Sequence, residues 1–150
     1  MRFNSKLDKR YKIFNLILFI LLFGTSFISY FIFKNLKDTL IEFVFASVIL
    51  GLIYFINKTT YYSFEGNLLI CKTVFYKKKI EIDTIRKIEK SNSLGSIYKI
   101  ATSFNGITVH YNKFDDIFIS PENHLEFCKL LNEQNPSIQF IPETEFNLNS

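Results

Sequence analysis

The side chains that commonly perform acid–base, nucleophilic or metal chemistry are few and dispersed in this 150-residue chain. Its two histidines are His110 and His124, and its two cysteines are Cys71 and Cys128. Metal sites and redox motifs need such residues at recognisable spacings, and none is present here. The adjacent carboxylates of Asp115-Asp116 are most simply explained as part of a turn. We therefore predict no metal site and no cofactor, and we expect both cysteines to be reduced core residues.

Sequence motifs of enzymes are also missing. The five glycines are dispersed and form no phosphate-binding loop. No nucleophile elbow surrounds a serine or cysteine. We therefore expect the protein not to be an enzyme.

One cluster of residue types could bind a ligand. Lys77, Lys78 and Lys79 are consecutive, and Arg86 and Lys87 follow shortly afterwards. Three lysines in a predicted β-turn concentrate positive charge that suits the phosphates of lipid headgroups. Arg86 could add a planar donor group for a phosphate or carboxylate. The alternative is a solubilising turn that also protects an edge strand from pairing.

An uncharged run of 21 residues, 13–33, precedes this cluster. At about 1.5 Å of rise per residue, such a helix crosses the roughly 30 Å hydrocarbon core of a bilayer. The run is longer than the apolar part of a signal peptide, and no small-residue cleavage site follows it. It is therefore predicted to be a transmembrane helix that stays in the protein.

A second uncharged run, 43–57, has only 15 residues. If its helix begins near Thr39, Glu42 lies in the first turn at headgroup depth, and the helix spans residues 40–57. A re-entrant or interfacial helix is the alternative. The connector is too short for anything except a tight hairpin, so residues 1–58 are predicted to form a two-helix membrane anchor.

The distribution of charge predicts orientation and excludes one class of partner. Residues 1–58 contain eight Lys or Arg and three Asp or Glu, whereas residues 59–150 contain ten and eleven. The basic excess thus flanks the membrane helices, as expected for contact with anionic lipids, and we predict no nucleic-acid partner. The positive-inside rule predicts an integral protein of a cytoplasmic membrane with both termini in the cytoplasm.

Residues 59–141 are predicted to form a small α+β domain, and residues 142–150 a polar tail. Alternating β-branched and aromatic residues predict about six or seven antiparallel strands. These strands cover residues 59–64, 68–75, 79–82, 85–90, 97–104, 107–111 and 117–119. A short helical turn at residues 83–86 is left open. Asn105-Gly106 predicts a hairpin turn. Ser120 as N-cap and Pro121 in the first turn predict one closing helix that ends at Asn135-Pro136.

Several short patterns, in order, resemble the small bacterial pleckstrin-homology-like (PH-like) domains of membrane-anchored proteins. The matching residues are Tyr61-Tyr62, Lys78-Lys79-Ile80, the series Ile82, Ile85 and Ile88, Ala101 and Ser103, residues 107–111, Ile119-Ser120-Pro121 and Phe127. The resemblance covers about residues 59–136, and two preceding transmembrane helices are common in that family. Phe104-Asn105-Gly106 departs from the family pattern, which often has charged residues there.

The resemblance implies a PH-like antiparallel β domain closed by one C-terminal helix, but that fold leaves the ligand open. We expect a non-enzymatic binding module at the cytoplasmic face that recruits a protein or peptide partner or senses membrane lipids. An immunity-type protein is the first alternative, because some similar membrane proteins protect a producer against its own bacteriocin. A membrane-bound enzyme is the least favoured alternative, and homo-oligomerisation is left open.

Overall fold

Two antiparallel helices precede two small β-sheets in the computed structural model, which describes residues 1–92 and 98–142. Helix α1 is Lys9–Phe33 and helix α2 is Leu36–Thr59. The Lys34 backbone adopts a left-handed conformation with φ 49°, and the Asn35 side chain caps α2. Both helices are long and apolar enough to cross a membrane. The predicted helical hairpin is confirmed.

The two helices touch through small and aromatic residues. Ser26 and Ala46 are buried between them, and the rings of Phe23 and Phe43 lie 4.7 Å apart. Since α2 already begins at Leu36, Glu42 lies about 9 Å along the helix rather than in its first turn. The Ser29 hydroxyl donates a hydrogen bond to the Glu42 carboxylate at 3.3 Å.

The described residues contain nine strands in two sheets. The first sheet has the order β1 (Arg2–Asn4), β2 (Tyr61–Glu65), β3 (Leu68–Lys72) and β4 (Lys77–Glu81), and all neighbours are antiparallel. The second contains β5 (Ile85–Asn92), β6 (Lys99–Ile100), β7 (Asn105–Tyr111), β8 (Asp115–Ile119) and β9 (Gln139–Ile141), in the order β6-β8-β7-β5-β9. Helix α3 is His124–Gln134. The α+β class with a closing helix is therefore confirmed. The second sheet is mixed rather than antiparallel as predicted, because β9 pairs with β5 and β6 pairs with β8 in parallel.

Each sheet contributes one apolar face to a shared core, and α3 packs against both. The core residues include Tyr62, Leu69, Ile80, Ile88, Val109, Ile117, Phe127, Cys128 and Leu131. A short 3-10 turn, Ile82–Thr84, connects the sheets. Its presence agrees with the helical turn left open by the sequence, and strand β5 follows it directly.

The N-terminal strand β1 is part of the first sheet, although the sequence analysis placed it in the membrane anchor. Phe3 pairs with Tyr62 in the strand register and is only 6% exposed. Its ring packs edge-to-face against Phe127 at 5.4 Å. The chain therefore begins in the sheet domain, runs out through the hairpin and returns to the strand beside its own start.

Three further local predictions, all in the sheet domain, are wrong. Asn105-Gly106 opens β7 and pairs with the end of β5 instead of forming a hairpin turn. A Cβ at Gly106 would collide with the Ile119 carbonyl oxygen and approach the Phe118 ring to 2.8 Å, so close packing accounts for the glycine.

The other two wrong predictions concern the start of helix α3 and the turn at residues 77–79. Helix α3 is capped by Asn123, not Ser120, because the Ser120 hydroxyl bonds instead to Ser5 at 2.9 Å. The three lysines 77–79 belong to strand β4 and not to a turn. The predicted loop at 91–96 and strand at 97–104 lie partly outside the described residues.

Candidate functional site

The lysines of β4 point alternately to its two sides. Lys77 and Lys79 are exposed on the outer face of the first sheet, away from the core. Lys78 faces the opposite way, and its Nζ lies 5.5 Å from the centre of the Tyr111 ring. A hydrogen bond with Tyr111 is the main reason why the pKa of Lys78 is raised. Only two of the three lysines can therefore act on the outer face together.

Arg86 and Lys87 lie on β5, in the second sheet. The Arg86 guanidinium donates to the Lys113 carbonyl oxygen at 2.7 Å, and Lys87 forms an ion pair with Glu89 at 2.8 Å. The hydrogen bond from Lys87 lowers the pKa of Glu89. Both cations line a shallow cleft of about 480 Å³ with His110. The structure does not bring them into one group with Lys77 and Lys79.

Two further cations share the outer face with Lys77 and Lys79. Lys72 is directly opposite Lys77 in the β3–β4 register, and Tyr61 is opposite Lys72. Directly opposed residues of antiparallel strands project from the same face. Arg2 lies over the Tyr61 ring at 3.8 Å, and the Lys72 ammonium is 5.7 Å from the same ring. We call Arg2, Lys72, Lys77 and Lys79 the basic face.

Sequence reasoning missed half of this face. Lys72 could have been found from strand alternation once Lys77 was assigned to a strand. Arg2 had no such signal, because it reaches the sheet only through pairing of β1 with β2 across the whole helical hairpin.

The basic face starts at the end of α2. Thr60 caps the helix by donating its N–H and its hydroxyl to the Ile56 carbonyl oxygen at 3.1 and 2.7 Å. Its hydroxyl is also 3.1 Å from that of Thr73, which follows β3. Tyr61 directly follows this cap, and Lys72 lies opposite Tyr61 in the sheet.

A second set of hydrogen bonds attaches the start of α1 to the second sheet. The Asp8 carboxylate accepts hydrogen bonds from the Tyr11 N–H at 2.7 Å, the Ser103 hydroxyl at 2.8 Å and the Phe104 N–H at 3.2 Å. Burial alone would raise the pKa of Asp8, but these bonds and one from the Asn105 N–H outweigh it and lower the pKa. The domain is thus attached to both helices at the same end.

The buried ionisable groups are structural. The Tyr62 hydroxyl donates to the Ile100 carbonyl oxygen at 2.5 Å and accepts from the Ser120 N–H at 3.0 Å, and burial raises its pKa to about 12. Burial also raises the pKa of the Cys71 and Cys128 thiols to about 12, so neither is an activated nucleophile. Within residues 1–92 and 98–142, no group of three or more His, Cys, Asp or Glu could hold a metal ion.

The fold agrees with a comparison against protein-family models. The model described as "Bacterial PH domain" matches residues 60–135, which run from the cap of α2 through α3. Comparisons with curated proteins and with solved structures found no match. The chain is therefore a member of the bacterial PH domain family, with two apolar N-terminal helices that are candidate membrane spans.

Proposed function

We propose that this protein is a non-enzymatic, membrane-anchored module whose basic face binds anionic lipid headgroups at the cytoplasmic leaflet. The observation that carries the proposal is the row formed by Tyr61, Lys72 and Lys77, which begins one residue after the cap of α2. A domain held this close to the bilayer presents those cations to the headgroup layer without a flexible linker.

Charge and geometry both favour lipid phosphate as the ligand. Cations near an anionic leaflet contribute about 1 kcal/mol each, and lysine ammonium groups suit single phosphate oxygens. Arg2 and Lys72 are both attracted to the Tyr61 ring through cation–π interactions. Arg2 and Lys72 therefore converge on one aromatic ring, and Lys77 is opposite Lys72 in the strand register. If the hydrocarbon core of the bilayer ends near Ile56, the rise of about 6 Å from Ile56 to Thr60 matches a headgroup layer of about 5–7 Å and places these cations at headgroup depth.

The test is lipid retention by the full chain, purified in a neutral detergent and analysed by native mass spectrometry. We expect added phosphatidylglycerol to bind more tightly than phosphatidylcholine. Lys72→Ala combined with Lys77→Ala should weaken phosphatidylglycerol binding by about tenfold or more, given about 1 kcal/mol per lysine. Raising the salt concentration should weaken it too.

A matched control removes two lysines from the end of the second sheet that is far from Asp8, Lys87→Ala with Lys113→Ala. This variant has the same net charge as the test variant and should retain phosphatidylglycerol like the unmodified chain. Equal retention of the two lipids, or equal losses in both variants, would refute headgroup binding at the basic face. In that case, recruitment of a protein partner would be the favoured function of this domain.

A further inference from the structure

The loop between β3 and β4, residues 73–76, projects two aromatic rings from the end of the first sheet. Phe75 is 76% exposed and Tyr76 is 45% exposed. The loop is closed at its base, where the Thr73 N–H donates to the Tyr76 carbonyl oxygen at 2.8 Å. Thr73 is also bonded to Thr60, the cap of α2. The rings are therefore carried by a short turn attached to the end of a membrane helix.

The direction of the strands places this turn on the membrane side. Strand β2 leaves α2 at Tyr61 and runs away from the helix, and β3 returns antiparallel until Lys72 lies opposite Tyr61. Residues 73–76 continue from that point. Residues 74 and 75 form a bend, so the turn reaches at most about 7 Å beyond Thr73. This distance is comparable with the thickness of the headgroup layer, about 5–7 Å.

We propose that Phe75 and Tyr76 insert into the interfacial layer of the membrane that anchors the chain, as a third attachment beside the two helices. Aromatic rings are favoured at the membrane–water boundary, where an apolar body and a polar hydroxyl are both accommodated. Lys72 and Lys77 flank the loop, and their stems can lie along the rings while the ammonium groups meet phosphates.

Insertion of the two rings differs from headgroup binding in its driving force. Insertion of Phe75 depends on removing an exposed ring from water, so it should occur in a bilayer of neutral lipid. Headgroup binding by the basic face depends on anionic lipid. The two proposals can therefore fail separately.

The chain contains no tryptophan, which allows a direct depth measurement. Phe75→Trp places a single indole in the loop and keeps its aromatic character. Phe114→Trp is the matched control, because Phe114 is 85% exposed in the turn after β7. That turn lies about 20 Å along the strand from Asn105, whose N–H contacts Asp8 at the start of α1.

Both full-length variants are placed in nanodiscs of phosphatidylcholine and excited selectively at the indole. We expect blue-shifted emission for Phe75→Trp, with quenching by brominated acyl chains about twofold or more stronger than for Phe114→Trp, as for an interfacial indole. Aqueous acrylamide should show the reverse order. The same measurement with added phosphatidylglycerol should preserve the difference.

Equal acrylamide quenching of the two variants, with no quenching of Phe75→Trp by brominated lipid in either mixture, would overturn the insertion. It would instead assign the exposed rings to contact with another protein. An inserted Phe75→Trp in a chain that shows no preference for phosphatidylglycerol would refute only the headgroup proposal.

Discussion

Asp8 is the residue at which helix α1 meets the second sheet. Its carboxylate caps the helix through the Tyr11 N–H and also accepts bonds from Ser103 and from the start of β7. Hydrogen bonds to an ionised acceptor are stronger than neutral ones. The same carboxylate therefore caps helix α1 and attaches the second sheet to the start of that helix.

We predict that Asp8→Asn lowers the free energy of unfolding by about 1–3 kcal/mol, because buried donors lose their ionised acceptor. Asp116→Asn, in the second sheet, should have little effect. Thermal unfolding of the full chain in detergent at neutral pH measures both. Equal stability of Asp8→Asn and the unmodified chain would contradict this role of Asp8.

The lowered pKa of Asp8 predicts that the stability of the folded chain depends on pH. Its folded-state pKa is lowered, so its contribution is fully present above the unfolded pKa of about 3.9 and is lost as pH falls through the folded pKa. The unmodified chain should lose stability at acidic pH more steeply than Asp8→Asn. Parallel pH profiles would show that Asp8 is not the responsible group.

At the scale of elements, the three-residue strand β1 contributes to the core of the sheet domain. It supplies Phe3 to the core against Phe64 and Phe127, and Ser5 joins the network around the Tyr62 hydroxyl. A fragment that begins at Thr59 lacks all of these contacts. Its core would be open where the Phe3 ring normally lies.

We predict that Phe3→Ala destabilises the sheet domain by about 3–5 kcal/mol, the usual cost of truncating a buried phenylalanine. Asn4→Ala, on the exposed side of the same strand, should cost far less. Hydrogen exchange of strands β2 and β3 in the full chain measures the change. Unchanged protection in Phe3→Ala would show that β1 is not needed by the first sheet.

At the scale of the whole molecule, the structure pairs the strand before the helical hairpin with the strand after it. Strand β1 precedes the hairpin, β2 follows it, and the two strands pair, so the N-terminus and the sheet domain lie on the same side of any membrane that the hairpin spans. The basic residues that flank the helices favour the cytoplasmic side. The proposed contact with anionic lipid depends on that orientation.

We predict that reporter fusions at Lys37 and Ser150 will lie on opposite sides of the membrane, with the Ser150 fusion in the cytoplasm. A reporter fused ahead of Met1 should match the Ser150 fusion. Activity of the Lys37 fusion in the cytoplasm would contradict the spanning hairpin, and a Ser150 fusion outside would reverse the proposed orientation.

The sequence by itself determined the features that depend on neighbouring residues. Apolar run length identified the two candidate membrane helices, strand alternation and turn residues identified the β-rich domain, and the order of short patterns identified its family. Tertiary structure alone decided which residues meet across long separations. Arg2 and Lys72 meet at the Tyr61 ring, whereas Arg86 and Lys77 lie in different sheets. Helix α3 begins later than predicted because the Ser120 hydroxyl bonds to Ser5. These outcomes depend on strand pairing and burial between distant segments, which local spacing does not encode.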